Sequence, residues 1–224
     1  MYKSNITKDG YCIIKNVFSK EEVDQFKNDV INYVNNNNKT NKSGDGITIP
    51  DFIKIPQLIT VADIRNNKTI NNALEEIFNG NNYRYCSHND IGINRIATWH
   101  KDKLNRQYAK YQTVDIWSKV NGESHEIVKV LLYLEDHSNN KDALKVIPGS
   151  HLSRKTDTTN VKQLKPSIGD VIIIDQRITH RGMNKQVPHP RILVSFGFGK
   201  NNIFTDNFEK GTIKRQNDQN KSLP

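Results

Sequence analysis

Apolar residues recur first at helical intervals and then at strand-like ones, with the change near residue 83. Val23, Phe26, Val30 and Val34 form an apolar stripe behind Ser19-Lys20-Glu21-Glu22. That tetrad is a capping box, with Ser19 as N-cap and Glu22 reaching back, so a helix is predicted from there to the Asn run at 35–38. The preceding segment 9–18, DGYCIIKNVF, reads as a turn and a short strand. Segment 36–46 is polar and loop-like, and Pro50 and Pro56 discourage regular helix beyond it. A second helix is predicted over 68–78, with Ile70, Leu74, Ile77 and Phe78 as its core face and Gly80 as its stop. After residue 83, short β-type runs alternate with turns at 83–86, 92–99, 113–119, 127–134, 144–147, 171–175 and 191–198. Strands so closely spaced suggest a sandwich or barrel. Residues 200–224 are polar and Asn-rich, a tail or a late lid. No internal repeat is present.

With 224 residues, the chain reads as one domain, residues 1–224, long enough for a sizeable core. A quarter of its residues are charged and about a third apolar, and no apolar stretch approaches the roughly 20 residues of a membrane span. The N-terminus lacks the apolar core of a secretory signal. Cys12 and Cys86 are not spaced as a metal pair, which favours a reducing, cytoplasmic setting. The net charge of +9 admits nucleic acid, an anionic surface or an acidic small substrate. The basic residues are scattered, which argues against a nucleic-acid groove. Their densest run is 101–110, KDKLNRQYAK, with Tyr108 and Tyr111 beside it.

That run grows out of the most informative pattern in the chain. His100-Lys101-Asp102 is followed far downstream by His180 and then Arg191. Two imidazoles and one carboxylate are the facial triad that holds ferrous iron and leaves other positions open. Alternate side chains on a strand share a face, so His100 and Asp102 can point at one metal. Both histidines follow strand-like runs, IGINRIATW at 91–99 and VIIID at 171–175. Arg191 can fork onto the carboxylate of an acidic co-substrate.

Segment 128–151 strengthens the case. Its Leu134-Glu135-Asp136 turn and its Ala143-Leu144 through Pro148-Gly149-Ser150-His151 run resemble the phytanoyl-CoA dioxygenase (PhyH) family of Fe(II)/2-oxoglutarate oxygenases. Trp99-His100-Lys101-Asp102, Gly169-Asp170-Val171, Thr179-His180-Arg181-Gly182 and the N-terminal GYCIIKNVFSKEEVDQF resemble the family's other motifs, so the likeness runs from about 9 to 198. The resemblance implies a mainly β fold with flanking helices, a double-stranded β-helix (jelly roll, cupin-like). It implies that His100, Asp102 and His180 are the catalytic metal ligands and that Arg191 holds 2-oxoglutarate. The cofactors would be Fe(II), 2-oxoglutarate and molecular oxygen, and the products would include succinate and CO2. Asp102 stands where halogenating relatives carry a small residue, so hydroxylation or another oxidative outcome is expected. Leu131 and Gly182 depart from the tryptophan and serine frequent in the family.

The leading expectation is a hydroxylase of a small, acidic organic molecule, with 101–110 as a mobile lid. The alternatives are an oxygenase acting on nucleic acid or protein, and a non-catalytic metal-binding jelly roll. The expected partner is a small-molecule substrate, with no nucleic acid and no membrane, and no pattern in the chain specifies an oligomeric state. Lys129, Leu131 and Tyr133 alternate onto one face of their strand, so Lys129 and Tyr133 reach the site if that face is the interior. Arg84 and Arg95 are candidates for an acidic substrate. His151 is expected to serve a loop backbone, His88, His125, His137 and His189 to be surface or loop polar residues, and Asp170 and Asp175 to belong to a turn and a strand end.

Overall fold

The computed structural model describes residues 1–37, 41–43, 46–139, 142–156, 158–183 and 189–221. The expected loop at 36–46 lies partly outside them. The helices are α1 Tyr2–Asp9, α2 Lys20–Asn36, α3 Ile59–Ala62, α4 Lys68–Phe78 and α5 Ile203–Lys221. The strands are β1 Tyr11–Ile14, β2 Asn41–Ser43, β3 Gly46–Pro50, β4 Tyr83–Ile93, β5 Ile127–Tyr133, β6 Lys145–Val146, β7 Lys162–Gln163, β8 Val171–Asp175, β9 His180–Arg181 and β10 Ile192–Lys200. A seven-stranded sheet has the order β1-β8-β5-β10-β4-β3-β2, and a three-stranded sheet has the order β7-β6-β9. All their strand pairs are antiparallel. This is the two-sheet jelly roll, mainly β with flanking helices.

Period-two alternation assigns each face of the large sheet. On β5, Val128, Val130 and Leu132 join the cluster that includes Val23 and Val30 of α2 and Ile70, Leu74 and Phe78 of α4. Leu131 and Tyr133 turn the other way and pack in one cluster with Val146 of the small sheet and Leu164, which follows its strand β7. Helices therefore cover one face and the small sheet covers part of the other, so an interior residue of β5 or β10 faces the space between sheets.

The predicted helix starts are borne out. Ser19 accepts from the Glu22 amide at 3.2 Å while Glu22 accepts from the Ser19 amide at 2.7 Å. At the end of α4 the left-handed C-cap is Asn79, φ 63, one residue before the expected Gly80 stop.

Other expectations need correction. The strand expected over 92–99 ends at Ile93, because Asn94 turns left-handed (φ 52). Its amide donates to the Arg191 carbonyl at 2.9 Å, and its side chain accepts from the Arg191 amide at 2.8 Å. No strand forms at 113–119, where Asp115 organises a turn by accepting from the Trp117 amide at 3.3 Å and, on its carbonyl, from the Ser118 amide at 3.0 Å. The polar tail expected over 200–224 is helix α5 over Ile203–Lys221, packed on β4 and on the 3-10 turn Arg106–Tyr111.

Candidate active site

The metal-ligand candidates meet at the edge of the small sheet. The amide of His100 donates to the carbonyl of His180 at 3.0 Å, and the His180 amide returns the bond at 2.9 Å. The Asp102 amide donates to the Gln176 carbonyl at 3.0 Å. Segment 100–102 is thus extended and paired alongside β9, which gives it the alternation of a strand. Lys101 points away, donating to the carbonyls of Ser150 (2.6 Å) and Arg177 (2.8 Å), while His100 and Asp102 share the opposite side. The ligand atoms of His100, Asp102 and His180 all lie within 4.8 Å of one another.

The donor set suits a first-row metal. Nδ1 of His100 donates to the Thr98 carbonyl at 2.7 Å, and Nδ1 of His180 donates to the Ile178 carbonyl at 3.0 Å. These bonds fix the tautomer and leave each Nε2 lone pair directed inward, the arrangement metal-binding histidines need. The two Nε2 atoms lie 3.3 Å and 3.4 Å from the two oxygens of Asp102. Burial alone would raise the Asp102 carboxyl, but Lys129 and the two histidines outweigh it and hold it well below the usual carboxylate range. Burial pushes His180 down to about 4, leaving it neutral. Burial also lowers His100, but the hydrogen bond and charge of Asp102 prevail and leave it raised. The set therefore offers an ionised carboxylate and a neutral His180 imidazole, while at His100 a cation would compete with the proton that Asp102 favours.

The interior face of β5 supplies two further contacts. Lys129 places Nζ 2.8 Å from Asp102 Oδ2, and Tyr133 hydroxyl receives Arg191 Nη2–H at 2.5 Å. Arg191 also donates Nε–H to the Asp142 carbonyl at 2.6 Å and lies with its guanidinium carbon 4.8 Å from the Tyr133 ring centre. It is 2 % exposed, and among the described residues no carboxylate lies within ion-pair distance of it. A buried guanidinium with no carboxylate in contact, Glu135 acting on it only at longer range, gains from an anion that joins it, which fits a co-substrate carboxylate. A β-carbon at Gly182 would sit 3.6 Å from Arg191 Nη2, so the glycine leaves room beside that group.

Beside Asp102 and Lys129 opens a cavity of about 620 Å3, with His88, Asp90, Arg95, Arg106, Phe208 and Arg215 in its wall. His88 and Asp90 come from the interior face of β4, and Arg215 from α5 pairs with Asp90 at 2.8 Å. The basic run does overhang the site, but it is fastened. Leu104 packs toward Cys86, Ile127 and Phe208, and Tyr108 hydroxyl donates to Asp218 of α5 at 3.2 Å. Lys101 takes no part in it.

Of the histidines expected on the surface or in loops, His125 and His137 lie in loops but are buried, 2 % and 0 % exposed, whereas His88 is buried on β4, 6 % exposed. His125 hydrogen-bonds Gln176 Oε1 at 2.7 Å, and the His137 amide donates to the Pro166 carbonyl. His189 remains exposed, as expected. His151 serves the loop backbone, its Nε2 donating to the Thr7 carbonyl at 3.1 Å. Asp170 receives the amides of Asn16 and Ser167, and Asp175 ends β8 paired with Arg177. Arg84 is tied to Asp206 and Glu209 of α5 and does not line the cavity. Arg95 lines the cavity, as its candidacy requires.

A family model for phytanoyl-CoA dioxygenase (PhyH) matches residues 6–192. The chain belongs to the phytanoyl-CoA dioxygenase family. As a member, it is an iron(II)- and 2-oxoglutarate-dependent enzyme, with molecular oxygen as the other co-substrate. Among solved structures, HygX from Streptomyces hygroscopicus with nickel, 2-oxoglutarate and hygromycin B bound is similar at TM-score 0.67 and 16 % identity, over 88 % of this chain and 85 % of that one. The non-heme α-ketoglutarate-dependent epimerase SnoN from nogalamycin biosynthesis is similar at TM-score 0.66 and 15 % identity, over 89 % and 82 %. AviO1 from Streptomyces viridochromogenes Tue57 is similar at 0.64 and 14 %, over 89 % and 94 %. At these identities the likeness is one of fold. A search of curated proteins gave no match.

Proposed function

We propose that this family member hydroxylates a small, acidic organic molecule, releasing succinate and CO2, with His100, Asp102 and His180 as the iron ligands and Arg191 as the 2-oxoglutarate anchor. The observation that carries the assignment is the convergence of three donors whose two imidazoles are oriented by backbone carbonyls. The bound iron and co-substrate supply the oxidising power for C–H attack. The protein's part is positional. His100 and His180 present Nε2 while their Nδ1–H groups stay on carbonyls. Lys129 holds one oxygen of Asp102, which favours binding through the other. Arg191 receives the far carboxylate and so orients the co-substrate along the sheet interior. The segment 103–108 and α5 line the cavity beside the site.

The bounded cavity favours a small molecule over nucleic acid or a folded protein. HygX holds hygromycin B, and this chain's cavity is of a size for a ligand of the small-molecule class. Among the described residues no helix is long and apolar enough to cross a membrane. Both cysteines are free and buried, in keeping with a cytoplasmic setting.

The test is iron binding and succinate formation by wild type and His180→Ala. The expected result is one iron per chain and 2-oxoglutarate-dependent succinate in wild type, with both lost in the variant. Full iron binding and turnover in a folded His180→Ala protein would remove His180 from the site.

A further inference from the structure

The charges around the 620 Å3 cavity do not cancel. Five cations stand in its wall: Arg95, Lys103, Arg106, Lys129 and Arg215. Lys129 is paired with Asp102 at 2.8 Å and Arg215 with Asp90 at 2.8 Å. Arg95 donates only to the hydroxyl of Thr48, and among the described residues Arg95, Lys103 and Arg106 have no carboxylate partner. His88 is neutral in this setting, since burial pushes it down to about 3. Three unbalanced positive charges, all on exposed side chains, therefore border one volume, and their fields add for an anion that enters it. Packing holds the chain that carries them. Arg95 lies against Gly92, where a β-carbon would come within 3.0 Å of its Cγ. Lys103 and Arg106 flank Leu104, which packs so closely on α5 that a β-carbon at Gly211 would meet its Cδ1 at 2.5 Å. The same wall holds one unmet acceptor. Asp90 gives Oδ2 to Arg215, while its buried Oδ1 has no hydrogen-bond partner. A buried carboxylate oxygen left unpaired is costly, so a ligand that supplies a donor there gains binding energy.

We infer that this cavity is a receptor for a small organic dianion, a phosphate monoester or a dicarboxylate, whose anionic group sits among Arg95, Lys103 and Arg106 and whose hydroxyl or amide N–H reaches Asp90. The inference rests on the oxygenase reading only for placing the substrate beside the iron ligands. It names the class of substrate and the residues that select it. Charge-assisted bonds to a guanidinium contribute roughly 1.5–3 kcal/mol each, so removing one receptor arginine corresponds to a loss of about tenfold or more in affinity.

The test is calorimetric titration of the anaerobic protein loaded with iron(II) and 2-oxoglutarate, using matched probes. Glucose 6-phosphate is compared with glucose, N-acetyl-L-aspartate with N-acetyl-L-asparagine, and methyl phosphate serves as a dianion without a donor. At least one dianion should bind ten times or more tightly than its less charged partner, and the tighter of the two identifies phosphate or dicarboxylate. Methyl phosphate should bind more weakly than glucose 6-phosphate if phosphate is the preferred anion. Arg95→Gln, and separately Lys103→Gln with Arg106→Gln, should weaken the dianion about tenfold and leave glucose or N-acetyl-L-asparagine unaffected. If no dianion outbinds its partner, or if all these variants bind it as wild type does, the receptor does not exist. Iron and 2-oxoglutarate are titrated separately on the same wild-type preparation. Dianion binding without 2-oxoglutarate binding would overturn the oxygenase reading and keep the anion site. The converse would overturn the anion site alone.

Discussion

Replacing Arg191 by methionine should uncouple co-substrate binding from iron binding. Arg191 is 2 % exposed and uses Nε and Nη2 to reach the Asp142 carbonyl and the Tyr133 hydroxyl. Its Nη1 makes no protein hydrogen bond among the described residues, so that end of the fork stays available to a carboxylate. Two charge-assisted bonds at roughly 1.5–3 kcal/mol each amount to about 3–6 kcal/mol, part of which offsets desolvation of the anion. Even half of that range, about 1.5–3 kcal/mol, is a loss of roughly tenfold to a hundredfold or more in 2-oxoglutarate affinity. Methionine approximates the volume of the stem and avoids a large cavity. The Tyr133 hydroxyl and Asp142 carbonyl would each lose a bond, so a fall in melting temperature is expected alongside the binding loss. Arg191→Lys should resemble Arg191→Met more than wild type, because an ammonium keeps the charge and loses the planar fork. The assay is equilibrium titration of the anaerobic, iron-loaded protein with 2-oxoglutarate, with iron affinity measured separately. A folded Arg191→Met protein that binds 2-oxoglutarate as tightly as wild type would refute the anchoring role.

Two further outcomes follow from burial and backbone. In the metal-free protein, His88 and His125 are buried neutral, with burial lowering them to about 3 and about 4. Between the ordinary histidine range near 6.5 and those values the unfolded chain binds more protons, so stability should fall as pH drops from about 6.5 toward 4. Urea midpoints at pH 7 and pH 4.5 measure this, and His125→Gln should flatten the slope; an unchanged slope would show that His125 is protonated in the fold. At Gly169, φ is +81, and a β-carbon would come within 1.9 Å of the Phe18 carbonyl oxygen. Gly169→Ala should therefore cost at least about 2 kcal/mol in urea unfolding, since backbone must shift to admit it; a cost below about 0.5 kcal/mol would mean the 17–18 turn yields freely.

What the sequence disclosed depended on the range of the interaction. His100 and Asp102 were legible because their relation is local: two residues apart in an extended segment, they share a side whether or not a regular strand forms. In the structure that segment is paired to His180 by two reciprocal backbone bonds and to Gln176 by one, the alternation holds and Lys101 points away. The capping box and the stripe of α4 were legible for the same reason. The strand expected over 92–99 was not, because one left-handed residue, Asn94, outweighs an apolar run, and its position is set by hydrogen bonds to distant Arg191. The interior direction of Lys129 and Tyr133 could be stated only conditionally, since alternation gives two faces and the neighbouring sheet decides which is inside.

The cavity wall illustrates the harder case. Helix α5 buries Phe204, Phe208, Gly211, Thr212 and Gln216, a helical spacing in which more than half the inward residues are not large and apolar. An apolar stripe cannot mark such a helix, so its sequence reads as a polar tail. Its inward polar groups are nevertheless specific: Gln216 donates to the Asn89 carbonyl at 3.2 Å, and Arg215 pairs with Asp90 at 2.8 Å. Both partners lie on β4 where a bulge opposite Gly197 and a left-handed Ser87 alter the register. A β-carbon at Gly197 would lie 2.8 Å from the Cβ of His88, so the glycine is what lets β4 bring His88 close on the interior side. The wall beside the candidate iron ligands is thus built by a bulge, a glycine and a polar helix, none of which carries a periodic signal. The candidate metal donors sit on the part of the fold that alternation encodes, and the charged cavity wall sits on the part that long-range polar pairing encodes. That division explains why the chemistry of this chain was readable from its sequence while the charge pattern of its cavity required the structure.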